Sequence, residues 1–154
     1  MILGIDPGAK GALAFFDMDS GRLEIFDMPT VQVKRGAKLK TEVSPQMLSA
    51  IIQANPARKA VLEKVGAMPG QGVSSMFQFG RSVGILEGVL AARGVPVDYV
   101  SPAKWQRELN VREGKDGNRQ RACELFPAYI EKFARVKDDG RADAALIAYY
   151  GALK

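Results

Sequence analysis

Apolar residues occur first in short runs separated by turn residues and later in longer stretches with helical spacing. The N-terminal part contains three short runs, at 1–6, about 11–17 and about 22–28, joined by the turn sequences PGAKG and DMDSGR. Connections this short join antiparallel strands. The N-terminal pattern therefore predicts a meander of three antiparallel strands.

The middle of the chain alternates predicted helices with short buried strands. VKRGAKLK (33–40) is interpreted as a polar connector, and the helix that follows begins with Ser44 as cap and Pro45 in the first turn. KAVLEK (59–64) predicts a buried strand that ends at Glu63, and VPVDYVS predicts another strand. We expect one α/β domain over 1–154, with a mixed five-stranded sheet and flanking helices.

The longest predicted helix runs from about Val73 to Arg93. Its expected apolar face consists of Phe77, Val83, Leu86 and Leu90. Three further helices are predicted at SPAKWQREL, GNRQRACELF and RADAALIAYYGAL. The single tryptophan, in SPAKWQREL, is interpreted as a core residue or as a base-stacking one.

Composition narrows the chemistry that the chain can perform. Its one cysteine, Cys123, excludes an internal disulfide and a cysteine-cluster zinc site. Because the chain has no histidine, a histidine general base is excluded as well. The net charge of +5 is compatible with a polyanionic partner. The sequence has no signal segment and no apolar run of roughly 20 residues, so we expect a cytoplasmic protein without a membrane partner.

Three carboxylates stand where a buried oxygen-only site could form. Asp6 and Glu63 end two predicted strands, and Asp143 lies among alanines early in the last helix. If the two strands are neighbours, their ends lie about 4.8 Å apart, and the carboxylates need a proton or a cation between them. Each also has a simpler interpretation. Asp6 could be a turn residue, Glu63 an exposed strand end, and Asp143 an exposed first-turn residue that interacts with the helix dipole. Together they suit Mg²⁺ or Mn²⁺.

The segment MPGQGVSSMFQFGR follows Glu63 and combines glycines with polar side chains. Ser74 and Ser75 at a helix start can donate to phosphate oxygens, and Gln71 can reach a base edge or sugar. A second basic cluster covers 101–121, whereas the cluster at 33–40 is interpreted as a solvated face. The remaining candidate DNA contacts are Arg81, Lys104, Lys115 and Arg119.

Glycines recur every fourth residue in the long helix, at Gly80, Gly84 and Gly88. Such a ridge lets another backbone approach closely. Two interpretations remain open: self-association about a two-fold axis, and packing of the helix on its own sheet.

Three segments together resemble the RuvC-like Holliday junction resolvases, especially phage and prophage forms in bacterial cells. They are GIDPGAKGALAFFD, the stretch from LEKVGAMPGQG to VSPAKWQ, and DDGRADAALIA. The resemblance implies an RNase H-like fold and a homodimer that nicks two opposed strands of branched DNA, leaving 5′-phosphate and 3′-hydroxyl ends. It also implies four carboxylates that bind two Mg²⁺, for which Mn²⁺ can substitute, and an apolar wedge at the junction, with Met68 and Phe77 as candidates.

The resemblance matches three acids, Asp6, Glu63 and Asp143, but not the fourth. Well-known members carry an acid or histidine three residues before the last aspartate, and this chain has Gly140 there. Asp139 is our choice for the fourth ligand, with Asp138, which could instead cap the helix, as the second choice. Two other functions stay open: a branched-DNA-binding protein without catalysis, and an actin-like kinase or ATPase fragment.

Overall fold

A mixed five-stranded sheet forms the centre of the computed structural model, which describes residues 1–66 and 69–154. The strands are β1 (Ile2–Asp6), β2 (Ala12–Phe16), β3 (Leu23–Asp27), β4 (Thr30–Arg35), β5 (Lys38–Val43), β6 (Lys59–Glu63) and β7 (Val97–Val100). The sheet order is β3-β2-β1-β6-β7, with β1 to β3 antiparallel and β6 and β7 parallel to β1. The predicted α/β architecture with its N-terminal meander is confirmed.

Five α-helices flank this sheet in the described part of the chain. They are α1 (Pro45–Ala54), α2 (Val73–Ala92), α3 (Pro102–Glu108), α4 (Gly117–Leu125) and α5 (Asp139–Ala152), with 3₁₀ turns at 127–132 and 136–138. The Ser44 side chain accepts a hydrogen bond from the Met47 backbone N–H, as predicted for a cap. No helix among the residues described has the length and apolarity needed to cross a membrane.

The helices cover the two faces of the sheet as two separate layers. Helices α1 and α2 pack on one face with buried Leu48, Leu86 and Leu90. Helix α5 packs on the other face, and its approach is very close: a Cβ added to Gly4 would lie 2.2 Å from the Ala144 carbonyl oxygen. This contact between α5 and β1 fixes where the acids of α5 lie relative to the strand ends.

Two predictions are wrong, one about the segment 33–40 and one about the side chain of Phe77. The connector at 33–40 is part of a two-stranded hairpin, β4 and β5, which turns at Gly36 with a positive φ of 62°. Over the whole hairpin, β-branched residues alternate with polar ones, as is typical of strands, at Val31, Val33, Thr41 and Val43. The charged residues between them make this pattern hard to see in the sequence. Phe77 is 71% exposed, because it lies nine residues before Leu86, about two and a half helical turns, and so points to the opposite side of α2.

Candidate active site

Asp6 and Glu63 end neighbouring parallel strands at the same edge of the sheet. The register that pairs Ile5 with Leu62 brings the next residue of each strand together, with their side chains on the face covered by α5. The chain turns sharply after Asp6, and a Cβ added to Gly11 would lie 2.0 Å from the Asp6 carbonyl oxygen. The predicted strand ends therefore place two carboxylates side by side.

Asp143 reaches the same edge from α5. Asp143 directly precedes Ala144 in α5, and the carbonyl oxygen of Ala144 packs against Gly4 of β1. Its charge interacts with both Asp6 and Glu63, since repulsion among the three groups contributes to the pKa values of Asp6 and Asp143. The structure thus brings together three acids that are separated by up to 137 residues in the sequence, the distance from Asp6 to Asp143.

All three carboxylates have raised pKa values, and burial is the first cause in each. Burial and then repulsion by Asp143 and Glu63 raise the pKa of Asp6 to about 8. Burial raises the pKa of Asp143 to about 7, although a hydrogen bond from Asn118 acts in the opposite direction. Burial also raises the pKa of Glu63. A site that penalises its own negative charge in this way favours a bound cation.

Two hydrogen bonds orient the carboxylates from the surrounding helices. Trp105 Nε1 donates to Glu63 Oε1 at 2.9 Å, and Asn118 Nδ2 donates to Asp143 Oδ1 at 2.7 Å. Gln106 Nε2 in turn donates to Asn118 Oδ1 at 3.4 Å, so α3, α4 and α5 are joined through one chain of side chains. The core interpretation of Trp105 is confirmed, because the side chain is fully buried.

Sequence reasoning missed Asn118 and Gln106 as functional residues. Both lie in polar helical segments where any residue could face solvent, and only the packing of α3 and α4 against α5 brings them to Asp143. For Trp105 the residue type itself was a signal, because a tryptophan side chain is usually buried in large part.

Asp139 and Asp138, the two candidates for the fourth ligand, lie in different surroundings. Asp139 is half exposed, its Oδ1 lies 2.8 Å from Arg119 Nε, and its charge acts on Asp143. Asp138 is buried, accepts hydrogen bonds from the Arg135 guanidinium, and lies 3.4 Å from Arg141. Asp138 occupies the cap position of α5 without a side-chain hydrogen bond to the helix. This placement favours Asp139.

Gly140 occupies the position at which the resemblance to the resolvases implies an acid or histidine. A Cβ there would lie 2.7 Å from the Lys10 carbonyl oxygen and 3.0 Å from Asp6 Oδ2. Helix α5 therefore touches the turn after β1 at a point that has room only for glycine. A fourth acidic ligand, if the site has one, would come from a neighbouring position.

The donor set of this cluster fits a divalent cation. Asp6, Glu63 and Asp143 offer oxygen ligands only, the type that Mg²⁺ and Mn²⁺ prefer. Within 1–66 and 69–154, no three acid, histidine or cysteine side chains stand close enough together to hold a metal ion, so Asp6, Glu63 and Asp143 share one edge of the sheet without forming a complete ligand set. The hydrogen bonds from Trp105 and Asn118 hold two of the carboxylates in their present orientations.

Several predicted DNA contacts are exposed around this cluster. Gln71, Ser74 and Ser75 are exposed at the start of α2, and Gln71 and Ser75 line a groove that begins at Lys64, directly after Glu63. Phe77 is exposed on the first turns of the same helix, which contradicts its alternative interpretation as a core residue. Met68, the other candidate wedge, lies outside the described residues.

The four predicted basic contacts differ in their availability. Lys104 and Lys115 are exposed. Arg81 lies 3.4 Å from Glu42, and Arg119, only 12% exposed, contacts Asp116 and Asp139. This placement favours a positioning role for Arg119 over the predicted contact with DNA.

The glycine ridge of α2 faces away from the sheet. Gly80, Gly84 and Gly88 are exposed, and a Cβ added to any of them would meet no described atom within 4 Å apart from the backbone of α2 itself. The interpretation that the ridge packs on the chain's own sheet is therefore wrong. The ridge remains available to a second molecule.

Comparisons with known proteins agree with this geometry at the level of the fold. No protein-family model matches the sequence. No curated protein matches it significantly. RuvC of T. thermophilus in complex with a Holliday junction substrate aligns with a TM-score of 0.61 and 18% identity, over 98% of this chain and 92% of that chain.

Two further solved structures show the same likeness. A second structure of Thermus thermophilus RuvC gives a TM-score of 0.55 at 17% identity, with the same coverage of both chains. The yeast mitochondrial Holliday junction resolvase Ydc2 gives 0.54 at 18% identity, over 97% of this chain and 77% of that chain. The chain therefore has the RuvC-like form of the RNase H-like fold.

Proposed function

We propose that this chain is a metal-dependent endonuclease that resolves four-way junctions and related branched DNA by paired nicks. One observation carries the proposal: Asp6, Glu63 and Asp143 converge at the carboxyl edge of β1 and β6, where their burial and mutual repulsion raise the pKa of Asp6 to about 8. The fold shared with RuvC and with the yeast resolvase supports the choice of substrate.

In this proposal, some residues of the chain would hold the metal ions and others would position those ligands. Asp6, Glu63 and Asp143 would hold Mg²⁺, with Asp139 as the outer fourth ligand. Bound divalent ions supply Lewis-acid activation of the phosphodiester and of the attacking water, and two ions act together at about 3.5–4 Å. Trp105 and Asn118 hold the carboxylates of Glu63 and Asp143 in place through hydrogen bonds.

The exposed start of α2 would contact the DNA beside the cluster. Ser74 and Ser75 carry hydroxyls at a helix N-terminus, which favours phosphate. Phe77 projects from the same turns with 71% of its surface exposed, as a junction wedge requires. Lys104 and Lys115 would add backbone contacts.

A homodimer would supply two such clusters for two opposed strands. The exposed ridge of Gly80, Gly84 and Gly88 supports close contact between two copies of α2, because small residues allow two helix backbones to approach. One cluster alone would have to release the junction and rebind it between the two cuts.

The test is cleavage of a synthetic four-way junction and of a linear duplex, with and without Mg²⁺. We expect nicks in the junction that require the ion and that disappear in Asp6→Asn, while that variant still binds the junction. The matched control is Asp19→Asn, which removes an equally charged carboxylate from an exposed turn. A parent protein that binds the junction without cutting it would identify a binding protein, and an active Asp6→Asn would overturn the site.

A further inference from the structure

The hairpin formed by residues 30–43, here called the basic ribbon, is an ordered element rather than a connector. β4 and β5 pair from Thr30 opposite Val43 to Arg35 opposite Lys38. Gln32 Nε2 donates across the two strands to Thr41 Oγ1 at 2.7 Å. A two-stranded ribbon is marginal alone in water, so what fixes it to the domain determines where its charges lie.

Glu42 fixes the basic ribbon to α2. Its carboxylate is only 6% exposed and accepts hydrogen bonds from Arg35 at 3.0 and 3.2 Å and from Gln78 at 3.3 Å. Arg81 of α2 lies 3.4 Å from the same carboxylate. These partners lower the pKa of Glu42 and keep it ionised, because a carboxylate with two guanidinium neighbours is favoured in its charged form.

A second contact ties the ribbon to the candidate DNA-binding end of α2. Lys40 Nζ donates to Ser74 Oγ at 2.8 Å. Ser74 lies in the first turn of α2, beside the loop that follows Glu63. The ribbon and the start of α2 are therefore parts of one surface.

The base of the ribbon lies at the same edge of the sheet as the carboxylates. The registers pair Asp6 with Ala12 and Ala12 with Asp27, so β3 ends level with Asp6, two strand spacings or about 10 Å away. β4 begins three residues later, at Thr30. The ribbon thus begins beside the acidic cluster and carries charge of the opposite sign.

The positive charge near the turn of the ribbon is not neutralised by the protein. Lys34 and Lys38 are exposed, and neither forms an ion pair within the part of the chain that the structure describes. Glu42 is the single acid of the segment 30–43, and the arginines already neutralise it. Leu39, 71% exposed between Lys38 and Lys40, adds apolar surface of the kind that contacts sugars.

We propose that the basic ribbon is a second DNA-binding surface, which holds the phosphate backbone of a duplex arm through Lys34 and Lys38. This inference rests on the proposed function, since it takes the DNA engaged at the carboxylates as its partner. Its ordered anchoring to α2 gives the two lysines a defined position beside the helix end that contacts phosphate.

The test measures binding of the full chain to a fluorescent four-way junction without divalent ions, over a series of salt concentrations. The variant Lys34→Ala/Lys38→Ala removes two charges from the ribbon. Its matched control, Arg58→Ala/Lys132→Ala, removes two exposed charges elsewhere, one of them from the residue before β6 at the opposite edge of the sheet.

If each lysine contacts one phosphate, the slope of log affinity against log salt becomes shallower by about 1.8 in the ribbon variant. We expect roughly tenfold weaker binding at about 0.1 M salt, with the control close to the parent. Equal losses in both variants would reduce the effect to general charge and overturn the inference. If the ribbon variant binds DNA with the affinity and salt dependence of the parent while the parent cuts junctions, the ribbon proposal is wrong and the proposed function stands. If the parent binds no DNA, both proposals are wrong.

Discussion

The buried indole of Trp105 donates its one hydrogen bond to Glu63, with 2.9 Å between Nε1 and Oε1. Trp105 is fully buried, so no water replaces this contact. The bond lowers the pKa of Glu63 and partly offsets the rise caused by burial. A core residue thereby orients a candidate metal ligand and favours its charged form.

Trp105→Phe tests this positioning role. The substitution keeps an aromatic ring in the core but removes the donor, which should cost about 1–3 kcal/mol of stability and leave Glu63 less readily ionised. We expect the Mg²⁺ concentration for half-maximal junction cleavage to rise several-fold, measured in a metal titration. Tyr99→Phe is the control, since it removes an exposed hydroxyl that donates to Glu87. An unchanged metal requirement in Trp105→Phe would leave the indole with a packing role only.

The metal-free protein should lose stability as the pH rises from about 5 to 8. The pKa of Asp6 rises from 3.8 in the unfolded chain to about 8 in the native protein, and that of Asp143 to about 7. The native state therefore keeps protons that the unfolded chain has already released, and its advantage disappears as these groups ionise. The change can reach about 1.4 kcal/mol per pH unit for each group.

Urea denaturation with a chelator at pH 5.5 and pH 8 measures this dependence. Asp27 and Asp138 have lowered pKa values, so their stabilisation is lost only in more acidic solution, outside this window. Asp6→Asn should flatten the curve. A free energy of unfolding that is constant or increases with pH in the parent would contradict the clustering of the acids.

Asp139→Asn and Asp138→Asn should separate catalysis from stability. Asp138 is a buried acid paired with Arg135, so its substitution should cost about 3 kcal/mol of folding free energy. Asp139 is half exposed, and its substitution should lower the cleavage rate at least tenfold with little change in melting temperature. Cleavage rates and thermal denaturation of both variants provide the comparison. The reverse pattern would assign the fourth ligand to Asp138.

Gly84→Glu should separate dimer formation from folding. In the described ranges, no atom beyond the backbone of α2 itself lies within 4 Å of a Cβ added there, and glutamate favours a helix over glycine by roughly 0.5–1 kcal/mol. We expect an intact fold and a monomer by sedimentation velocity, whereas Gly84→Ala should keep the dimer. A dimeric Gly84→Glu would place the interface elsewhere.

The sequence alone was sufficient to predict the sheet and the positions of the three central acids. Short apolar runs with tight turns determine the meander, and the ends of β1 and β6 follow from where apolar residues give way to Asp6 and Glu63. Charged and polar segments were harder to interpret. The basic ribbon reads as a connector because its central part, 33–40, holds four basic residues and only one β-branched residue, Val33.

Contacts between distant polar residues were beyond sequence reasoning. Asn118 reaches Asp143 across 25 positions through the packing of α4 on α5. Gly140 reads as a departure from the family pattern, and only the 2.7 Å approach to the Lys10 carbonyl oxygen explains it. Such relationships depend on tertiary distances, which neither periodicity nor composition contains.

The proposed active site requires that acids from β1, β6 and α5 bind divalent ions together. Anomalous scattering from crystals of the full chain grown with Mn²⁺ tests it most directly. We predict density peaks bounded by the carboxylates of Asp6, Glu63 and Asp143, and loss of these peaks in Asp6→Asn. Manganese bound only elsewhere on the protein, or no peak at saturating Mn²⁺, would contradict the proposed metal site.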